Sequence, residues 1–128
     1  MKQIIIDTNI LARLFITDSA EQQDMAKRIM KDVEEGKTQG LISILVIDEL
    51  LWLYGQYYSL RKESYIPEIL NILSIKQIKV IEVEKDIVID ILKTIQRRNI
   101  DFTDLYLASI AKGRQIASFD KDFKKLSR

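Results

Sequence analysis

The 128-residue chain has no cysteine, no histidine, one proline and four glycines. The first two absences remove whole classes of chemistry. Without thiols or imidazoles there is no Cys/His zinc site, no Ser-His-Asp triad, no thiol nucleophile and no imidazole acid–base catalysis. Carboxylates, amines, hydroxyls and bound metal ions remain. Long apolar runs are lacking too. Leu41 to Ile47, the longest such stretch, falls far short of the roughly 20 residues that span a bilayer, so no membrane association is expected. Near the N-terminus, Asp7 and Asn9 interrupt the apolar segment before it can serve as a signal-peptide core, and a cytoplasmic protein is expected.

Against those gaps, an apolar fraction of 47% is too high for a disordered chain and ordinary for a globular one. The length suits one domain over residues 1–128, able to bury about two-thirds of its unfolded surface. Twenty basic and nineteen acidic residues nearly cancel, so bulk charge does not advertise a nucleic-acid partner. Its distribution says more. Lys112, Arg114, Lys121, Lys124, Lys125 and Arg128 face only Asp120 and Asp122 in the last stretch, a cationic tail suited to phosphates. Lys112, Arg114, Lys121 and Lys124 are its RNA-contact candidates, the plain alternative for each being a solvated surface lysine or arginine.

Hydrophobic spacing predicts alternating strands and helices. Lys2–Ile6 reads as a strand buried on both faces, followed by a helix from Thr8 to about Ile16. Ser19, three residues before Gln22, opens a second helix with Met25, Ala26, Ile29, Met30 and Val33 on one face, ending at Gly36. A strand over Thr38–Ile44 leads to a helical stretch from Val46 to Tyr58, where Gly55 implies close packing. A helix follows over Arg61–Leu73, its start blurred by Pro67, and then a strand over Ile78–Val83. Ile87, Val88, Ile91, Leu92 and Ile95 mark the next helix, Asp101–Asp104 opens another that Gly113 closes, and Gln115–Phe119 reads as a final strand. The alternation predicts an α/β fold with a parallel sheet covered by helices on both faces.

Ligands of such sheets gather at the carboxyl ends of strands. Four acids take that address: Asp7 after the first strand, Glu49 early in the helix after the second, Asp104 in a first helical turn and Asp120 after the last strand. Each has a bland explanation. Asp104 suits a capping box begun by Asp101, Glu49 an ordinary helix-start acid and Asp120 a turn, with Asp122 equally suited. Asp7 is harder to dismiss, because a carboxylate at the mouth of a buried strand calls for a cation and none is nearby in sequence. Converging carboxylates repel one another unless a divalent cation joins them, and an all-oxygen donor set suits Mg²⁺ or Mn²⁺. Such a site activates water against a phosphodiester. Thr8, Asn9 and Ser118 are the candidate hydrogen-bond partners that orient the acids.

The segments "IIIDTNIL", "VIDELLWL", "DFTDLYLASIAKG" and "IASFDKDFKKL" resemble, in order and over residues 4 to 126, the four motifs of PIN-domain nucleases, in particular the small VapC-type toxins of type II toxin–antitoxin pairs. The resemblance implies a three-layer α/β/α fold and a Mg²⁺- or Mn²⁺-dependent endoribonuclease acting on structured RNA such as transfer or ribosomal RNA. It implies Asp7, Glu49 and Asp104 as principal metal ligands, with Asp120 completing the acidic site and Asn9 and Ser118 in support. Ser118 stands where the family more often has threonine. Asp101 matches a subgroup carrying an acid before the phenylalanine, as helix cap first and site residue second. A homodimer and a small antitoxin over the acidic groove are further implications. Trp52, Tyr54, Tyr57 and Tyr58 suit either interface, although aromatics on an apolar helix are more often core.

Three other readings share parts of the pattern. "IIIDTN" also looks like the opening of a haloacid-dehalogenase-type phosphatase, but that family wants a second acid where this chain has Asn9. A housekeeping RNA-processing nuclease without antitoxin, or a non-catalytic RNA-binding module, shares the motifs.

Overall fold

A computed structural model describes residues 1–120 and Phe123. Its centre is a parallel sheet of three strands in the order β1–β2–β3: β1 is Lys2–Ile5, β2 Thr38–Ile42 and β3 Ile78–Val80. Helices fill the connections, as parallel crossovers require. They are α1 (Thr8–Phe15), α2 (Ala20–Glu34), α3 (Ile44–Trp52), α4 (Lys62–Leu73), α5 (Lys85–Arg97) and α6 (Phe102–Ala111), with a π-helical segment at Leu53–Tyr57 between α3 and α4. The outcome is the expected α/β/α architecture.

The helices form where the apolar stripes put them. On α5, Val88, Ile91 and Leu92 are buried, each worth roughly 1.5–3 kcal/mol of transfer energy. On α2, Ala26, Met30 and Val33 are buried, whereas Met25 faces solvent rather than the core. Ser19 caps α2 by accepting a hydrogen bond from the Gln22 amide at 3.4 Å. In β2, alternate residues Thr38, Gly40 and Ile42 are buried. Gly40 permits close approach: a Cβ there would lie 2.8 Å from the Cδ1 atoms of both Ile6 and Ile78, which meet across the middle strand. Gly55 packs against Tyr65, whose hydroxyl oxygen would be 3.0 Å from an added Cβ.

Four expectations about strands are corrected. β1 is not buried on both faces: it lies at the sheet edge and Ile5 is 73% exposed. β2 stops at Ile42 and β3 at Val80, earlier than apolar content implied. β2 gives way to α3 because the Glu82 carboxylate accepts hydrogen bonds from the Ser43 hydroxyl (2.6 Å) and the Ile44 amide (2.7 Å) and so starts the helix at once. Gln115–Phe119 forms no strand. Ile116 is half-buried and its four companions are exposed, so the segment has too little apolar surface in contact to hold it on the sheet. Among the described residues, no helix is long and apolar enough to cross a membrane.

Candidate active site

Asp7 takes the N-cap position of α1, directly beyond β1. Its carbonyl accepts from the amides of Ile10 (3.1 Å) and Leu11 (3.4 Å), while its side chain makes no capping bond. The β1–β2 register pairs Ile5 with Leu41, and continuing it by two residues sets Asp7 level with Ser43, the N-cap of α3. Asp7 is exposed, so water solvates its carboxylate. Burial therefore does not demand a cation there, which corrects the desolvation argument.

Glu49 is exposed on the second turn of α3, about 9 Å along the axis from Ser43 at the α-helical rise. Neither Asp7 nor Glu49 enters an ion pair or side-chain hydrogen bond among the described residues. Asp104 is half-buried in the first turn of α6, where the helix N-terminus favours negative charge. Asp101 occupies the N-cap position of α6, but its side chain makes no capping bond; only its carbonyl accepts, from the Leu105 amide at 3.2 Å.

Glu82 is the acid that sequence reasoning passed over. Partial burial works to raise its pKa, and the bonds from Ser43 and Ile44 outweigh that, leaving it below the ordinary glutamate value. Its role is to fix the start of the helix that carries Glu49. Thirty-eight residues separate Glu82 from Ile44, so no local pattern marks the pair.

Among the orienting candidates, Thr8 is buried at the first position of α1 and Asn9 is exposed beside Arg13 and Gln22. The Ser118 hydroxyl accepts the Asp120 amide at 2.9 Å, a local turn that sets the backbone of the fourth acid. Asp120 follows an exposed irregular segment rather than a strand. Of the basic candidates, Lys112 adopts a left-handed conformation (φ 50°) that closes α6. Arg114 folds back to donate to the carbonyls of Ile110 (2.8 Å) and Ala111 (2.9 Å), so it serves as a helix cap here. Lys121 and Lys124 lie outside the described residues.

A cleft of about 390 Å³ joins the helices that bear two of the acids. Asp48 and Trp52 of α3 line one side, and Arg98, Asn99, Asp101 and Thr103 at the α5–α6 junction line the other. Glu49 and Asp104 are thus chain neighbours of residues on the same cleft. A second cavity of about 300 Å³, floored by Leu11, Phe15, Met30, Tyr54 and Ile72, has none of the four candidate acids in its walls.

Oxygen donors that are accessible and, among the described residues, outside any ion pair, as Asp7 and Glu49 are, fit a hard divalent cation by their chemistry. Their spacing is open: no three acidic side chains are gathered closely enough to hold one ion among the described residues. No curated protein and no solved structure matches the chain. A model of the PIN domain matches residues 4–128, nearly the full length, and the chain therefore belongs to the PIN domain family, whose members are nuclease-type domains.

Proposed function

We propose that this protein is a Mg²⁺- or Mn²⁺-dependent endoribonuclease of the cytoplasm and the toxin of a type II toxin–antitoxin pair. The observation that carries the reading is the family match over residues 4–128; the resemblance of the motifs around Asp7, Glu49 and Asp104 supports these three as its acids. Those three are the proposed metal ligands, and Asp120 joins them at the edge of the site. A bound Mg²⁺ or Mn²⁺ supplies neutralisation of phosphodiester charge and a lowered pKa for attacking water.

The chain's own residues do the placing. Glu82 anchors the start of α3 and so sets the height and rotation of Glu49. The turn beyond β1 presents the Asp7 carboxylate to solvent. Structured RNA is the proposed substrate, a small antitoxin the proposed inhibitor and a homodimer the proposed working state.

The test has two parts. Purified wild-type protein is expected to cut RNA with Mg²⁺ or Mn²⁺, and Asp7→Asn to be inactive with an unchanged circular dichroism spectrum. Expression of the wild type alone is expected to arrest growth, relieved by the small protein encoded beside it. Full cleavage by Asp7→Asn removes the mechanism. Cleavage without growth arrest removes the toxin role and leaves an RNA-processing nuclease.

A further inference from the structure

Lys62 is half-buried at the first position of α4, and no carboxylate forms an ion pair with it among the described residues. Its ammonium reaches another element instead. It donates to the Ile95 carbonyl at 2.8 Å and, more weakly, to the Arg98 carbonyl at 3.5 Å, both at the end of α5. The last four carbonyls of an α-helix lack intrahelical partners, and the helix dipole favours a cation beside them. In α5 the Arg98 amide takes the Thr94 carbonyl, and the chain leaves in an extended conformation at Arg98 (φ −134°, ψ 153°) with no glycine to close the helix. Lys62 supplies that closure from 33 residues away in sequence.

Beyond this end, residues 98–101 lead straight into α6 and to Asp104 in its first turn. Phe102 and Leu105 seat α6 in the core, but its start has no side-chain cap of its own, because Asp101 makes no capping bond. α2 and α3 differ, since Ser19 and Ser43 cap them. Apolar packing is non-directional, so a hydrogen-bonded anchor is what fixes the height of the connection. Lys62 is placed to be that anchor: it lines the 390 Å³ cleft together with Arg98, Asp101 and Thr103, on the open side of the connection. Glu82 does the matching work at α3, with a carboxylate on a hydroxyl and an amide there and an ammonium on carbonyls here.

We propose that Lys62 is a positioning residue for Asp104, acting through the end of α5 and the connection into α6. The inference rests on the nuclease reading, in which Asp104 is a metal ligand, and adds to it a cation that acts only through the backbone.

Mn²⁺ alone is the probe, its uptake by the full chain read from loss of the free-ion electron paramagnetic resonance signal, with no RNA present. Lys62→Met keeps the aliphatic stem and removes both bonds. It is expected to raise the half-saturating Mn²⁺ concentration at least about 5-fold, somewhat under the roughly 10- to 100-fold seen when a ligand loses its own hydrogen-bond partner. Lys62→Arg, which keeps the charge and its donors, is expected to recover to within about 2-fold of the wild type. Ser19→Ala uncaps α2, which carries none of the four candidate acids, and should leave uptake unchanged. Amide hydrogen exchange in Lys62→Met is expected to quicken over residues 98–106 and to stay as it is across the sheet. Should Lys62→Met not fold, Lys62→Gln is measured by the same criteria. Wild-type uptake with an unaffected Lys62 variant overturns this proposal alone, whatever its stability, and leaves Lys62 a helix cap. An equal loss in Ser19→Ala overturns it as well, because the effect is then one of general loosening. No Mn²⁺ uptake by the wild type overturns the nuclease reading and this proposal with it.

Discussion

The N-terminal acids and the C-terminal acids of this molecule are held in different ways. Asp7 ends a strand paired with β2, and Glu49 rides on a helix whose first turn is bound by Glu82 from beyond β3. Both positions are fixed by residues distant in sequence. Asp104 sits on α6, which is anchored through Phe102 and Leu105 and closed by its own next residues, Lys112 and Arg114. Asp120 follows a stretch in which Phe119 is fully exposed. The first pair is therefore set through the sheet, whereas Asp104 depends on the packing of α6 into the core and Asp120 follows an exposed stretch, so perturbing the sheet and perturbing the C-terminal segment should have unlike consequences.

The largest effect is expected in the core, where α5 packs against α4 and α6. Leu92→Ala removes a fully buried side chain of α5 and is expected to cost about 2–5 kcal/mol, whereas Leu107→Ala on the partly exposed face of α6 should cost below about 1 kcal/mol. Denaturant melts of the two variants check this, and similar losses would erase the contrast. Next is Asp7→Asn, expected to lower RNA cleavage at least about 100-fold while shifting stability by less than about 0.5 kcal/mol, since its side chain is solvated.

Glu82→Gln is expected to cost about 0.5–1.5 kcal/mol through loss of a charge-assisted cap. Its pH signature follows from the depressed folded-state pKa. The stabilisation is fully present above the ordinary value of 4.5 and is lost as pH falls through the lower folded-state value. Stability measured from pH 6 to pH 2 should fall less in Glu82→Gln than in the wild type; parallel curves would deny the cap. The smallest effect belongs to Phe119→Ser, within about 0.5 kcal/mol by thermal melt, because the ring is fully exposed. A larger loss would mean that this segment is docked in solution.

The helices were legible because their stripes are local. The α5 spacing of Val88, Ile91 and Leu92 needs no knowledge of the partner to read. Strands were harder. The three isoleucines of "IIIDTN" form an apolar run, yet which strand borders it decides burial, and such a run does not encode its own place in the sheet. Gln115–Phe119 shows the converse error, since a β-compatible pattern with one half-buried residue does not secure a strand. The boundary at Ser43 was hidden because its determinant, Glu82, lies far along the chain.

At the site, three addresses were readable from strand ends and helix starts, with Asp7 beyond β1, Glu49 on α3 and Asp104 in the first turn of α6, whereas Asp120 follows no strand. The aromatic residues divided in a way sequence did not reveal. Tyr54 is core: its hydroxyl donates to the Leu11 carbonyl at 3.4 Å, and burial pushes its pKa well above the ordinary tyrosine value. Trp52 and Tyr57 face outward. The π turn makes that division, and helical periodicity at 3.6 residues cannot anticipate it.

The most direct measurement is cleavage of a labelled structured RNA by chelator-treated wild-type protein, with Mg²⁺ or Mn²⁺ then added back. The account predicts no cleavage in chelator and recovery that saturates with the added cation. An undiminished rate in excess chelator would contradict it, because then the acids at Asp7, Glu49 and Asp104 would not act by holding a cation at all.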